Sequence, residues 1–193
     1  MSVSAIPEKE NLHTIWATLL HDIGKFEAIT MSKNQNDRIR FNKHAYYSAA
    51  SANTILNRLK FDRKFISSAM WLIEHHMSLY QILDMRPAKR QILFNNPLFP
   101  DLLKLTFYDA LGTIPRSIDY IAEIQKIYQK EYKPISKSII TGRDLIEIGI
   151  LPGKKIKYIL DELWHLQLEG HIKNKKQGLE KAKELIDFFS KQE

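Results

Sequence analysis

The apolar positions along the chain follow a helical spacing almost everywhere. Ile156, Ile159, Leu160 and Leu163, for example, recur at i, i+3, i+4 and i+7. The alternation of apolar and polar residues that is typical of strands is nearly absent. The pattern therefore predicts an all-α fold, with helices over residues 11–24, 44–60, 63–78, 88–95, 99–112, 116–132, 142–148, 153–169 and 177–190.

Several of these helices carry a start signal. Asn11 and Asp62 are predicted N-caps, Thr141 precedes another helix, and Pro87 and Pro115 lie near first turns. Two long loops interrupt the pattern, one over residues 27–43 and one over residues 133–138. The second contains a proline that stops the preceding helix, so we interpret it as a linker. The sequence thus predicts two domains, over residues 1–133 and 134–193.

The composition is that of an ordinary globular protein, with 193 residues, 44% hydrophobic and 26% charged. The chain has no cysteine, so any metal must be held by histidines and carboxylates. The segment Met1–Leu12 lacks the apolar core of a signal peptide, and no apolar run reaches roughly 18 residues. We therefore expect a cytoplasmic protein.

The formal net charge is +7, of which +5 falls in residues 1–133 and +2 in residues 134–193. An excess of this size favours polyanionic partners such as nucleic acid, nucleotides or an anionic membrane face. A basic protein without such a partner would carry the same charge. The charge alone leaves both alternatives open.

Metal-capable side chains follow apolar runs at two places. "TLLHDIGKF" places His21 and Asp22 after two leucines, and "WLIEHHM" places His75 and His76 in the same way. A plain helix end is the alternative for the first pair, but a carboxylate near the negative end of a helix is unfavourable without a nearby cation. Asp109, in "LKLTFYDALG", lies inside an apolar helix and needs a cation or several donors. We therefore expect His21, Asp22 and Asp109 to converge within about 6 Å.

The segments "LLHDIGK", "KH", "IEHHM" and "YDAL", in this order, resemble the HD superfamily of metal-dependent phosphohydrolases, which is named for its adjacent His and Asp. More narrowly, the chain is similar to the C-terminal half of bacterial tRNA nucleotidyltransferases (CCA-adding enzymes) and related poly(A) polymerases, from about residue 15 to about residue 185. The tail "TGRDLIEIGILPG" is the most specific part of this similarity. The resemblance implies an HD-type helical bundle followed by a small helical subdomain.

The resemblance also implies roles for individual residues. His21, Asp22 and Asp109 would be metal ligands, and His44 and His76 would bind a second metal or a phosphate. His76 is preferred to His75 because it directly precedes a methionine, although the two neighbours leave the choice open. For His44 the alternative is a helix N-terminal cap. Asp22 and Lys25 would be the catalytic residues, with Lys25 near the phosphate.

The chain departs from the family pattern at two points. The family's usual first histidine ligand lies on a separate upstream helix, but only 20 residues precede His21. The sole upstream candidate, His13, would lie roughly 12 Å away along one helix and is not expected to share the ion. There is also no Gly-Ser or Gly-Gly turn followed by an Asp-x-Asp pair. The chain alone is therefore not expected to add nucleotides.

Two classes of function follow. The first is a phosphohydrolase acting on nucleotide or RNA-end phosphates with Mg, Mn, Ni, Co, Fe or Zn. The second is a non-catalytic tRNA- or RNA-binding body, or a split half of a nucleotidyltransferase, whose HD residues serve helix packing and whose partner is a separate head protein. The helix start at "LPGKKIKY" would then bind a phosphate, or it is an ordinary helix start. The candidate phosphate-binding side chains are Arg38, Arg40, Arg143, Lys154, Lys155 and Lys157.

Overall fold

The fold is all-α, as the sequence predicts. A computed structural model describes residues 3–30, 40–113, 118–151 and 153–190. Within these ranges the only sheet is a pair of two-residue strands. None of the helices in the described ranges is long and apolar enough to span a bilayer.

The chain divides into two compact units, one formed by residues 1–84 and 96–130 and the other by residues 85–95 and 131–193. The sequence places the boundary at residue 133, so the two divisions differ at residues 85–95 and at residues 131–133. Ion pairs explain the placement of residues 85–95, because Arg86 contacts Glu162 and Glu169 in the second unit at 2.8 and 2.7 Å. The assignment of an HD-type domain to residues 1–133 and of a tail subdomain to residues 134–193 stays a prediction.

The first unit begins with a 3-10 turn at Val3–Ala5, and a second such turn follows its fourth helix at Ser78–Gln81. Its other elements, in chain order, are α1 (Leu12–Leu20), α2 (Lys25–Ala28), β1 (Ile29–Thr30), β2 (Arg40–Phe41), α3 (His44–Arg58), α4 (Arg63–His75), α6 (Phe99–Gly112) and α7 (Asp119–Glu131).

The core of the first unit forms where α1 packs against α3, α4 and α6. The buried stripe of α3 consists of Ala49, Ala52 and Leu56, at the spacing of one helix face. The two alanines allow the backbone of α3 to approach α4, which buries Ala69 and Leu72. The close packing of α3 and α4 sets the positions of the residues at their ends.

The predicted helix over residues 11–24 ends earlier, at Leu20. The following residues form a turn, in which the Lys25 amide donates to the Asp22 carbonyl at 3.1 Å. Gly24 makes this turn possible, because a Cβ at Gly24 would lie 2.3 Å from the backbone nitrogen of Ser48. The turn carries His21 and Asp22 out of the helix and brings them against the start of α3.

The predicted loop over residues 27–43 contains regular structure at both ends. Ile29 of β1 pairs with Phe41 of β2 in an antiparallel register, and residues 31–39 lie outside the described ranges. Lys43, in the left-handed region at φ 64°, then turns the chain into α3. His44 is therefore the first residue of α3.

The second unit contains α5 (Pro87–Phe94), α8 (Gly142–Glu147), α9 (Lys154–Leu168) and α10 (Lys175–Ser190). Its core comprises Ile140, Leu145, Ile159, Leu163, Ile172 and Ala182. The predicted start at Thr141 is a full capping box, in which Thr141 and Asp144 bond each other's backbone amides.

The other predicted start signals have different outcomes. Asp62 caps α4 by accepting from the Phe65 amide at 2.9 Å. Asn11 occupies the N-cap position of α1, but its side chain does not cap the helix, because its side-chain amide donates to the Asp101 carboxylate instead. Pro87 is the first residue of α5, and Pro115 lies outside the described ranges.

Candidate metal centre

Three histidines of the first unit are held in the same way. The Nδ1 atoms of His21, His44 and His76 lie 2.8, 2.9 and 2.7 Å from backbone carbonyls. A carbonyl only accepts, so each Nδ1 carries the proton and each neutral ring presents an unprotonated Nε2. The chain thus fixes the tautomer that binds a metal through Nε2.

The Nε2 atoms point into a common space with two carboxylates. His21 Nε2 lies 3.3 Å from Asp22 Oδ2 and 3.2 Å from Asp109 Oδ1. His44 Nε2 lies 3.5 Å from Asp22 Oδ1 and 3.0 Å from His76 Nε2. The five side chains therefore form two triads that share Asp22, one with His21 and Asp109 and the other with His44 and His76.

The geometry of these triads fits a divalent cation. Two ligand atoms at about 2.1 Å from one ion and at right angles lie about 3.0 Å apart, close to the separations observed. Two unprotonated Nε2 atoms facing each other at 3.0 Å, as in His44 and His76, need a cation or a proton between them. His21, Asp22, Asp109, His44 and His76 are thus the residues that could hold the metal.

The charges around His21 favour a cation at the same place. Burial alone would lower the pKa of His21, but its hydrogen bonds to Asp109 and Asp22 outweigh burial and raise that pKa to about 10. Burial would likewise raise the pKa of both carboxyls, but His21 holds the pKa of Asp22 and of Asp109 below its usual range. A divalent ion would supply the positive charge that these carboxylates otherwise draw from the imidazole.

His76 has the opposite electrostatic setting. It is 1% exposed, and burial, together with the nearby His21 and His44, lowers its pKa to about 4. The ring is therefore neutral near pH 7, which is the state that binds a metal. Without a metal, the centre thus contains one imidazole that the neighbouring carboxylates hold protonated, His21, and one that stays neutral, His76.

Two further side chains contact the carboxylates. Lys25 Nζ donates to Asp22 Oδ2 at 2.6 Å, and the Tyr80 hydroxyl donates to Asp109 Oδ2 at 3.1 Å. Burial raises the pKa of Tyr80, so it stays a donor at neutral pH. Tyr80 is not among the residues predicted from the sequence, since its contact with Asp109 depends on the packing of distant segments and has no spacing signal.

Residues 3–96 match the family model described as the HD domain. The chain carries an HD domain. The adjacent His21 and Asp22 of the candidate metal centre lie within the matched residues, whereas Asp109 lies beyond them. No solved structure shows significant similarity.

A second similarity extends beyond the HD domain. The chain is 26% identical over 166 residues to a Deinococcus radiodurans protein named A-adding tRNA nucleotidyltransferase, and the match covers 81% of this chain. The chain spans 38% of the length of that relative. The similarity thus extends over most of this chain and a minor part of the relative.

Two other histidines of the HD domain point away from the centre. His75 Nδ1 bonds the Trp71 carbonyl at 2.8 Å, and the two rings stack at 4.4 Å. His13 Nε2 lies 2.9 Å from Asp101 Oδ2, so it is engaged elsewhere, as expected from its position along α1. His76 and His44 are the histidines brought into the centre, while their assignment as metal ligands stays a prediction.

The predicted phosphate-binding residues of the described ranges are divided between the two units. Arg40 is exposed on β2 of the first unit, whereas Arg143, Lys155 and Lys157 are exposed in the second unit. Arg38 and the side chain of Lys154 lie outside the described part of the structure. The role of all six in nucleic-acid binding stays a prediction.

Proposed function

We propose that this chain is a divalent-metal-dependent phosphohydrolase module that acts on nucleotide or RNA-end phosphates. The observation that supports it is the pair of triads sharing Asp22, with every imidazole held in the metal-binding tautomer by a backbone carbonyl. An ordinary packing role would not require three Nε2 atoms to converge on two carboxylates.

A divalent ion bound there would supply Lewis acidity and lower the pKa of water to near neutrality. The side chains around it have separate tasks. The Lys25 ammonium, 2.6 Å from Asp22, would bind a phosphate oxygen beside the centre. The Tyr80 hydroxyl orients Asp109 through its other oxygen. Two carboxylates, one lysine and one divalent ion leave a net positive charge that attracts a phosphate ester.

Hydrolysis of a panel of phosphate esters tests the proposal. Nucleoside monophosphates, 2′,3′-cyclic nucleotides and RNA oligonucleotides with terminal phosphates are assayed for phosphate release or ring opening with Mg²⁺, Mn²⁺, Ni²⁺, Co²⁺, Fe²⁺ or Zn²⁺. We expect turnover by the wild type that is lost in Asp22→Ala, because that change removes a ligand from both triads.

His75→Ala is the matched control, since His75 neighbours His76 but bonds Trp71. It should retain the wild-type rate. Equal rates for wild type and Asp22→Ala across the panel would rule out this centre as the origin of any hydrolysis.

A second candidate is a non-catalytic RNA-binding body, or a half of a nucleotidyltransferase that works with a separate head protein. The relative's name and its alignment to 81% of this chain favour it, because the alignment extends well past the HD domain. The exposed Arg143, Lys155 and Lys157 would bind tRNA phosphates without reading sequence.

Filter binding of tRNA across a salt series tests the second candidate. Replacing Lys154, Lys155 and Lys157 together by alanine should reduce the slope of log affinity against log salt by roughly 0.9 for each phosphate that is no longer neutralised. An unchanged slope and affinity would exclude these lysines from the RNA-binding surface. Binding that requires none of the metal ligands would favour this candidate over hydrolysis.

A further inference from the structure

Large aromatic side chains are exposed beside the metal centre. Phe26 on α2 is 83% exposed and Tyr46 on α3 is 67% exposed, and Phe41 and Tyr47 are each 37% exposed. Phenylalanine is usually buried. We call these four residues the aromatic platform; clustered exposure of this kind marks a binding surface.

The platform is tied to the metal centre by direct contacts. Lys25, which bonds Asp22, lies 5.8 Å from the centre of the Phe41 ring. The Phe41 carbonyl accepts from His44 Nδ1 at 2.9 Å. One residue thus supplies both a ring of the platform and the backbone contact that orients a candidate ligand.

A close backbone contact joins the two helices of the platform. The Gly24 amide donates to Ser48 Oγ at 2.9 Å, and a Cβ at Gly24 would lie 2.7 Å from Tyr47 Cβ. This contact places the start of α2, with Phe26, against the first turn of α3, with Tyr46. The Tyr46 and Tyr47 rings meet edge to face at 5.6 Å.

The charges around the platform are mainly positive. Lys25, Arg40 and Lys43 come from α2, β2 and the turn before α3, and Arg40 and Lys43 are exposed. Glu27 is the acidic residue of α2. Aromatic rings interspersed with cations are the pattern that binds unpaired nucleic acid, in which bases stack on rings and phosphates meet cations.

We propose that the aromatic platform stacks unpaired bases at the end of a single-stranded nucleic acid, with Phe26 and Tyr46 as the main rings. This rests on the proposed function in one respect, namely that the adjoining phosphate enters the metal centre. It narrows the substrate class from any nucleotide or RNA-end phosphate to an end whose neighbouring bases are unpaired.

Fluorescence anisotropy with the full chain tests this binding. The probes are a labelled single-stranded RNA of about 12 nucleotides, its DNA equivalent and an RNA hairpin of the same length. A chelator is present, so that binding is measured without hydrolysis. Phe26→Ala and Tyr46→Ala should each raise Kd for the single strands about fivefold or more, since each removes one stacking ring. The salt slope should stay unchanged, since neither substitution removes a cation that would neutralise a phosphate.

Leu59→Ala is the matched control, because Leu59 is 48% exposed just after the last turn of α3 and lies about 20 Å from Tyr46 along the helix axis. It should bind like the wild type. Phe26→Leu, which keeps an apolar side chain without a ring, should behave like Phe26→Ala, and Phe26→Trp should retain binding. These substitutions at exposed positions separate stacking from folding.

Several results would overturn the inference: no binding of single strands by the wild type, variant Kd values within about twofold of wild type, or equal losses for the hairpin. Self-association that disappears in Phe26→Ala would assign the platform to a second copy instead. Glycerol phosphate, which has no base, separates this inference from the proposed function. Its hydrolysis without single-strand binding refutes only the platform, whereas single-strand binding without hydrolysis refutes only the phosphohydrolase.

Discussion

Asp22 is the residue whose loss should affect both triads. Asp22→Ala leaves His21 with Asp109 and His44 with His76, two ligands in each group. A change that only orients a ligand costs about 10- to 100-fold in metal affinity, so the loss of a ligand should cost about 100-fold or more. We therefore expect Asp22→Ala to remove most of the stabilisation that a divalent ion gives the wild type.

The magnitude follows from linkage. A metal at 100 times its Kd stabilises the folded state by about 2.7 kcal/mol. For a chain of this length each kcal/mol raises Tm by about 2 to 4 °C, so the wild-type shift should be about 5 to 10 °C. In Asp22→Ala the same concentration would only about equal the new Kd, which leaves about 0.4 kcal/mol and a shift of at most about 2 °C.

Differential scanning fluorimetry with and without each ion measures both shifts on the same protein preparations. His75→Ala should keep the full wild-type shift, because its ring stacks on Trp71 outside the triads. Comparing each variant with itself removes any change that the substitution makes to the metal-free stability. The reasoning fails if Asp22→Ala shows the wild-type shift or if His75→Ala loses it.

Three further predictions concern Tyr80, which contacts the candidate metal centre, and Asp101, which joins α6 to the start of α1. Tyr80→Phe should weaken metal binding about 10- to 100-fold, measured by isothermal titration, because Asp109 Oδ2 loses its hydrogen-bond donor. An unchanged affinity would show that Tyr80 does not orient Asp109. Asp101→Ala should reduce the free energy of unfolding at pH 7 by about 2 to 3 kcal/mol in urea denaturation, because it removes the acceptor of Asn11, His13 and Lys104; a loss under about 0.5 kcal/mol would contradict this. Burial would raise the pKa of Asp101, but the hydrogen bonds from His13, Asn11 and Lys104 outweigh burial and lower that pKa. The contribution of Asp101 to the free energy of unfolding is therefore fully present above the unfolded pKa of about 3.9, and it is lost as the pH falls through the lower folded pKa. The difference between wild type and Asp101→Asn should therefore shrink on acidification, and a constant difference in unfolding free energy down to the acid transition would refute this assignment.

Much of the fold could be predicted because helical periodicity is a local property. The starts of α3, α4 and α6 coincide with the predicted ones at His44, Arg63 and Phe99. The early end of α1 could not be predicted, because it depends on the approach of Gly24 to Ser48. The placement of α5 in the second unit depends on ion pairs across about 80 residues of sequence.

The candidate ligands could likewise be selected from their residue types and neighbours. What the sequence does not contain is their mutual geometry. The sharing of Asp22 between two triads arises only when α1, α3, α4 and α6 pack together. The carbonyl that fixes each tautomer is local, because it lies three residues before its histidine. The aromatic platform was missed for a related reason, since Phe26 and Tyr46 have the apolar character of core residues and only packing shows that they are exposed.

Equilibrium dialysis of the metal-stripped protein against Mn²⁺, Ni²⁺, Co²⁺, Fe²⁺ and Zn²⁺, with metal content measured by mass spectrometry, tests the metal centre most directly. We predict about one to two ions per chain for the wild type and for His75→Ala, since the two triads share one carboxylate, and a loss of most bound metal in Asp22→Ala. Less than about 0.1 ion per wild-type chain for every metal, or equal metal content in Asp22→Ala, would contradict the account.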